Sequence, residues 1–144
     1  MNQYDLTLVR MSELSARDVQ KLLKLTNESQ PGKRSIFRQW LNFWQCHHGI
    51  YVLICRLGGE IVAWAALANH QGINSGLLGV FVQADQRRKK MARLVLDAFL
   101  GRLGDVCPDP PKIIEYTRGF ERVFRPSILQ NHFDDCYLVA ENCM

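Results

Sequence analysis

The sequence predicts a single α/β domain spanning residues 1–144, an α+β fold of three layers in which helices flank a mixed, mainly antiparallel sheet. Three observations carry this reading. The chain has 144 residues, enough to bury one sizeable core and too few for two. Its 47% hydrophobic and 22% charged residues are the proportions of a folded globular chain, which excludes wholesale disorder. Apolar residues recur at helical spacing near the start, become strand-like through the middle, and return to helical spacing after residue 90.

Each element has its own signal. Residues 6–10 read as a first strand. Ser15 can cap a helix, with Asp18 three residues on in the capping-box position. Val19, Leu22, Leu23 and Thr26 then recur at helical spacing until Pro31-Gly32 stops the segment. A second helix begins near Ser35 and carries Phe37, Trp40, Leu41 and Trp44 on one stripe, which reads as core packing. Residues 50–57 and 60–68 form a β-hairpin about Gly58-Gly59, and residues 77–82 a further strand. A long amphipathic helix follows, with Met91, Leu94, Val95, Ala98, Phe99 and Leu103 on one face and Gly104 as its stop. Residues 112–117 read as a strand and 121–132 as a helix with Pro126 near its first turn. A last strand covers 135–140, an edge where two subunits can pair as a homodimer.

Several function classes are excluded early. The longest apolar run, residues 61–68, is eight residues, too short to span a membrane. The N-terminus has no basic flank followed by an apolar stretch, so a cytoplasmic location is expected. Five cysteines, an odd number at irregular spacing, argue against a disulfide framework. Cys46-His47-His48 lacks a second ligand pair at useful spacing, so no metal site is expected.

The net charge is +4, from 18 basic and 14 acidic residues. Five of the basic residues, Arg87, Arg88, Lys89, Lys90 and Arg93, fall within residues 86–93, leaving 18 less 5, or 13, basic residues against 14 acidic elsewhere. The excess charge is local, and it sits where a helix begins. A helix start already carries partial positive charge from its unpaired amides, so acidic residues are favoured there. Four consecutive cations oppose that rule. A bound anion resolves the conflict, with amides and side chains converging on a phosphate or pyrophosphate. A solvated basic patch is the plain alternative. Nucleic acid is a third, but no aromatic residues interleave with the cations to stack bases.

The segment Gly79-Val80-Phe81-Val82-Gln83-Ala84-Asp85-Gln86-Arg87-Arg88-Lys89-Lys90-Met91-Ala92-Arg93-Leu94-Val95 resembles the acetyl-CoA-binding core of the GNAT N-acetyltransferases. In that family a strand ending in valine leads into Arg/Gln-x-x-Gly-x-Gly/Ala at the start of a helix. Val82 falls at the strand-ending valine, Arg87 at the first motif position and Ala92 at the last. The order of elements is similar too. The resemblance implies a splayed central strand pair. It implies that backbone groups of Val80, Phe81 and Val82 hold the pantetheine arm of acetyl-CoA as an added strand. It implies that Arg87, Arg88, Lys89, Lys90, Met91 and Ala92 hold the pyrophosphate, through amides with charge from the side chains.

The implied activity is acetyl transfer from acetyl-CoA to an amine of a small molecule or peptide. Lys90 stands where the motif has glycine, and Arg88 where another glycine is common; a lysine fits at 90 if its φ stays helical. The family's frequent glutamate falls near Leu78, and its thiolate-protonating tyrosine on Ile128. Tyr116 and Glu115, with His70, are the candidate replacements for proton transfer. The alternative is a protein that binds acetyl-CoA as a sensor or regulator, acting through a protein partner without turnover.

Overall fold

The computed structural model describes residues 3–29, 36–69, 75–87, 90–106, 112–116, 124–130, 133 and 135–138. The elements in chain order are β1 (Tyr4–Arg10), α1 (Ala16–Ser29), α2 (Ile36–Asn42), β2 (Ile50–Leu57), β3 (Glu60–Asn69), β4 (Ser75–Val82), α3 (Met91–Val106), β5 (Ile113–Tyr116) and β6 (Asp135–Leu138). The strands form one six-stranded sheet in the order β1-β2-β3-β4-β5-β6. The first four are antiparallel neighbours, while β4–β5 and β5–β6 are parallel. A parallel neighbour needs a crossover, and α3 is the one between β4 and β5.

Two cores result, one on each face of the sheet. Met91, Val95, Leu96, Phe99, Leu100 and Leu103 of α3 pack on one face against Leu53, Val62, Leu78 and Ile114. Val19, Leu22 and Leu25 of α1 and Phe37 and Leu41 of α2 cover the other, against Val52, Trp64, Leu77 and Phe81. The three-layer prediction holds. Helices on both faces also explain why 50–55 is a continuous apolar run: β2 is central and buried on both sides.

Local chemistry sets the element ends. The Ser15 hydroxyl accepts the Asp18 amide at 3.1 Å, the predicted N-cap. Asp18 also pairs with Arg56 of β2 at 2.8 Å, tying the start of α1 to the sheet. Gly58 and Gly59 have φ of 60° and 86°, the two left-handed residues of a two-residue hairpin turn.

Four expectations need correction or extension. Leu25 belongs to the buried face of α1, with Leu23 half-buried at its margin. α2 ends at Asn42, and Trp44 lies in the 3₁₀ turn Trp44–Cys46, with its indole N–H donating to Leu14 O at 2.9 Å. On α3, Leu94 is 38% exposed while Leu96 and Leu100 are buried, and the helix runs past Gly104 to Val106. Within the predicted 121–132 helix the described residues show one 3₁₀ turn, Pro126–Leu129; proline has no N–H to continue a longer helix upstream.

Candidate active site at the fork of the sheet

β4 and β5 are paired over three rungs, Ser75↔Ile113, Gly76↔Ile114 and Leu77↔Glu115. On its other side β4 stays paired with β3 through Ala63↔Val82. Among the described residues the β4–β5 pairing ends at Leu77; residue 117, next in register opposite Gly79, lies outside them. Among the described residues, Val80 and Val82 lie beyond the last β5 rung.

Which backbone groups of β4 face away from β3 follows from the antiparallel alternation. The Gln83 amide donates to Val62 O at 2.8 Å, in register with the β3–β4 pairing. Hydrogen-bonded pairs then recur every second residue, so Phe81 and Gly79 face β3. Val80 and Val82 turn their N–H and C=O away from β3, toward the β5 side of β4. Of the three residues read as pantetheine ligands, Val80 and Val82 are thus placed for that role. Phe81 is not: its backbone faces Trp64 of β3, and its ring stacks on the Trp64 indole at a centroid distance of 4.7 Å.

The loop after β4 turns through Ala84–Gln86 and delivers the chain to α3. Lys90, immediately before the helix, has φ of 58°, and it is the one non-glycine residue with positive φ among those described. The expected helical φ is overturned. An L-residue in this conformation costs about 1–2 kcal/mol, from Cβ against its own backbone. The lysine occupies a backbone conformation that glycine adopts freely, which explains the motif's glycine at this position.

α3 starts with no acidic residue in its first turn. Its first ladder bond runs from the Leu94 amide to Lys90 O at 3.1 Å. The amides of Met91, Ala92 and Arg93 therefore have no acceptor within the helix. The Met91 side chain is buried against Cys55, with its sulfur 3.7 Å from the thiol, so it can offer an anion only its amide.

The cations are less free than the sequence suggests. Arg87 donates through Nε to Val82 O at 3.1 Å and through a terminal nitrogen to Ser29 Oγ at 3.2 Å. It thereby joins the end of α1 to the end of β4 and caps the Val82 carbonyl. Arg93 pairs with Asp97 one turn on at 3.0 Å. Arg88 and Lys89 lie outside the described residues. Among the described residues, Lys90 is an exposed cation beside the first-turn amides of α3. Gln86, preceding Arg87, is buried with its side-chain oxygen lacking a partner.

The proton-transfer candidates divide. Glu115 forms the last β4–β5 rung, opposite Leu77, and Tyr116 is the next residue along β5. Both stand at the end of the described β4–β5 pairing. Tyr116 is 7% exposed and belongs to the core beneath α3. Leu78, near the family's glutamate, is fully buried, and Ile128 is half-buried in its 3₁₀ turn. His70 lies outside the described residues. Cys55 is no nucleophile: burial, with Asp5 adding to it, raises its thiol to about 11. No group of three or more metal-binding side chains occurs among the described residues.

An open groove of about 600 Å³ lies between α1 and α2, lined by Gln20, Lys24, Asn27, Glu28, Arg38 and Asn42 among others; none of its lining residues comes from β4, β5 or α3.

A mixed sheet with helices on both faces, whose fourth strand runs through a short turn into a helix start without acidic residues, defines the class: an α/β domain of three layers. The family model of the acetyltransferase (GNAT) family matches residues 19–106, more than half of the chain, and the chain belongs to that family. No curated protein matches it. Solved structures share its fold. An acyl-CoA N-acyltransferase from Pseudomonas aeruginosa superposes with a TM-score of 0.60 at 16% identity, over 74% of this chain and 75% of that one. An aminoglycoside N-acetyltransferase in complex with CoA gives 0.54 at 11% identity, over 96% and 78%. A ribosomal-protein-alanine N-acetyltransferase from Brucella melitensis biovar Abortus 2308 gives 0.51 at 13%, over 96% and 80%.

Proposed function

We propose that this protein binds acetyl-CoA along the β5 side of β4 and transfers the acetyl group to an amine of a small molecule or peptide. The observation that carries the reading is the coincidence of two surfaces. Val80 and the Val82 N–H lie on the edge of β4 away from β3, past the last described β5 rung, and a few residues on, the Met91, Ala92 and Arg93 amides stand in the first turn of α3, where no acceptor lies within the helix. The first suits the amides of a pantetheine arm and the second its pyrophosphate. Two solved relatives by fold are described with CoA or acetyl-CoA bound, in agreement with this assignment.

Acetyl-CoA supplies an activated acyl group as a thioester. The chain's own residues bind and orient it. Met91, Ala92 and Arg93 amides, with Lys90, hold the diphosphate charge; Val80 and Val82 align the arm; Arg87 fixes the end of β4 against α1. An attacking amine has to arrive neutral and lose a proton, and the departing thiolate has to gain one. Glu115 and Tyr116, at the end of the described β4–β5 pairing, are the residues assigned to those transfers.

Leu78 favours a second reading. A fully buried aliphatic side chain near the usual glutamate position can move no proton, which suits a domain that binds acetyl-CoA and reports it to a protein partner. One experiment separates the two. The protein is incubated with acetyl-CoA and a panel of amines and peptides, and free thiol is followed. Acceptor-dependent thiol release supports the transferase; saturable acetyl-CoA binding with no release above background supports the regulator.

A further inference from the structure

Gly79 and Phe37 make a close contact just past the last described β4–β5 rung. A Cβ built on Gly79 would lie 2.5 Å from Phe37 Cζ and 2.9 Å from both Cε atoms. The ring of α2 therefore rests end-on against the β4 backbone, in the space a side chain at residue 79 would take. Phe37 is 1% exposed. It is braced edge-on by Phe81 at 5.2 Å, Trp40 at 5.3 Å and Trp64 at 6.2 Å.

Its position along the strand matters. Gly79 lies between the last described β4–β5 rung, at Leu77, and Val80, the first position past it that faces away from β3. An arm that runs down β4 from the start of α3 passes Val82 and then Val80. Two strand residues span about 6.6 Å, so an extended arm can meet both positions in turn. The short cysteamine link then brings the sulfur beside residues 78–79. Beyond that point β5 closes the sheet, so an acyl chain has to turn out of the sheet plane.

The two faces differ at that turn. The α3 face is filled by the strand's own Leu78 and by Tyr116. On the α1–α2 face β4 presents Leu77 and Phe81 and, between them, only the Gly79 hydrogen, and Phe37 fills that gap. We infer that Phe37 is a specificity-determining residue that limits the donor to short acyl chains by occupying the volume a longer chain needs. This rests on the acyl-CoA reading above and names its donor class.

The test is calorimetric titration of CoA, acetyl-CoA, butyryl-CoA and hexanoyl-CoA into wild type, Phe37→Leu and Phe37→Met. The wild type should bind hexanoyl-CoA at least about tenfold more weakly than acetyl-CoA, the scale of a few methylenes that do not fit. Each folded variant should keep its CoA affinity within about threefold and narrow the hexanoyl-to-acetyl ratio by about tenfold or more. Wild type that binds both chain lengths equally overturns the proposal, and so does an unchanged ratio in a folded variant that retains CoA binding. If either variant fails to fold, the wild-type series and the other variant still decide. Failure of folded wild type to bind CoA at all overturns the acyl-CoA reading itself, which distinguishes that failure from a misassigned Phe37.

Discussion

Replacing Lys90 separates backbone strain from charge at the start of α3. The residue carries two costs. Its φ of 58° places an L-residue in the left-handed region, at about 1–2 kcal/mol. Its ammonium sits at the positive end of the helix dipole, at about 0.3–1 kcal/mol. Lys90→Ala removes the charge and keeps the strain, so it should stabilise the fold by no more than about 1 kcal/mol. Lys90→Gly removes both, but a glycine gives the unfolded chain about 0.4–1 kcal/mol of extra entropy. Subtraction leaves the glycine variant about 1 kcal/mol more stable than the alanine variant, the strain less the entropy. For a chain of this size that is a difference of about 4 °C in Tm. Urea unfolding with a shared m-value, read by far-UV circular dichroism, resolves it. Because both variants lack the charge, their difference reports the backbone alone. A glycine variant no more stable than the alanine variant would refute the left-handed assignment.

Other residues give sharper local tests. Gly79→Ala forces Phe37 from its seat and should cost about 1–3 kcal/mol of stability in urea melts, the range for overpacking. Ser15→Ala removes the N-cap of α1 and should cost about 1 kcal/mol, whereas Ser15→Asp should cost little. Lys90→Glu should weaken CoA binding at least about tenfold by calorimetry, an effect that shrinks as salt rises. The Cys55 thiol is raised from 9.0 to about 11 in the folded state, so the fold holds its proton more tightly than the unfolded chain does. Its contribution to stability is full below pH 9 and lost as pH climbs through about 11, and Cys55→Ala should flatten that part of the alkaline stability profile. Exposed Cys46 should react with iodoacetamide in native buffer, while Cys55 should react only on unfolding.

The fold was legible where a single physical signal dominated. Ser15, Gly58-Gly59 and the apolar run of β2 each fixed an element without help from the rest of the chain. Helix faces were less legible where apolar residues crowd all round, as with Leu94, Leu96 and Leu100 on α3: spacing alone cannot choose between adjacent leucines, and the sheet beneath decides. The site shows the same division. The charge cluster at 87–93 pointed to the start of α3, and the edge of β4 past its last described β5 rung lies beside it. The fate of the cations was not readable, because the Arg87 bonds reach to Val82 and Ser29, the latter 58 residues away in sequence. The phase of β4 was also hidden. Which of Val80, Phe81 and Val82 faces away from β3 depends on β3–β4 register, a tertiary fact. Lys90 ran against expectation, since no side-chain pattern reveals a backbone φ. The contact between Gly79 and Phe37 had no sequence signal beyond a glycine in a strand, which is where another group is expected to approach closely.

Residue-resolved amide hydrogen exchange by NMR, with and without saturating acetyl-CoA, tests the central claim most directly. If the arm adds to the free edge of β4, the Val80 and Val82 amides should slow by at least about tenfold, as newly hydrogen-bonded strand amides do. Gly79 and Phe81, already paired with β3, should change little. Saturable binding that leaves Val80 and Val82 exchanging at their free rates would place the ligand elsewhere and contradict the account.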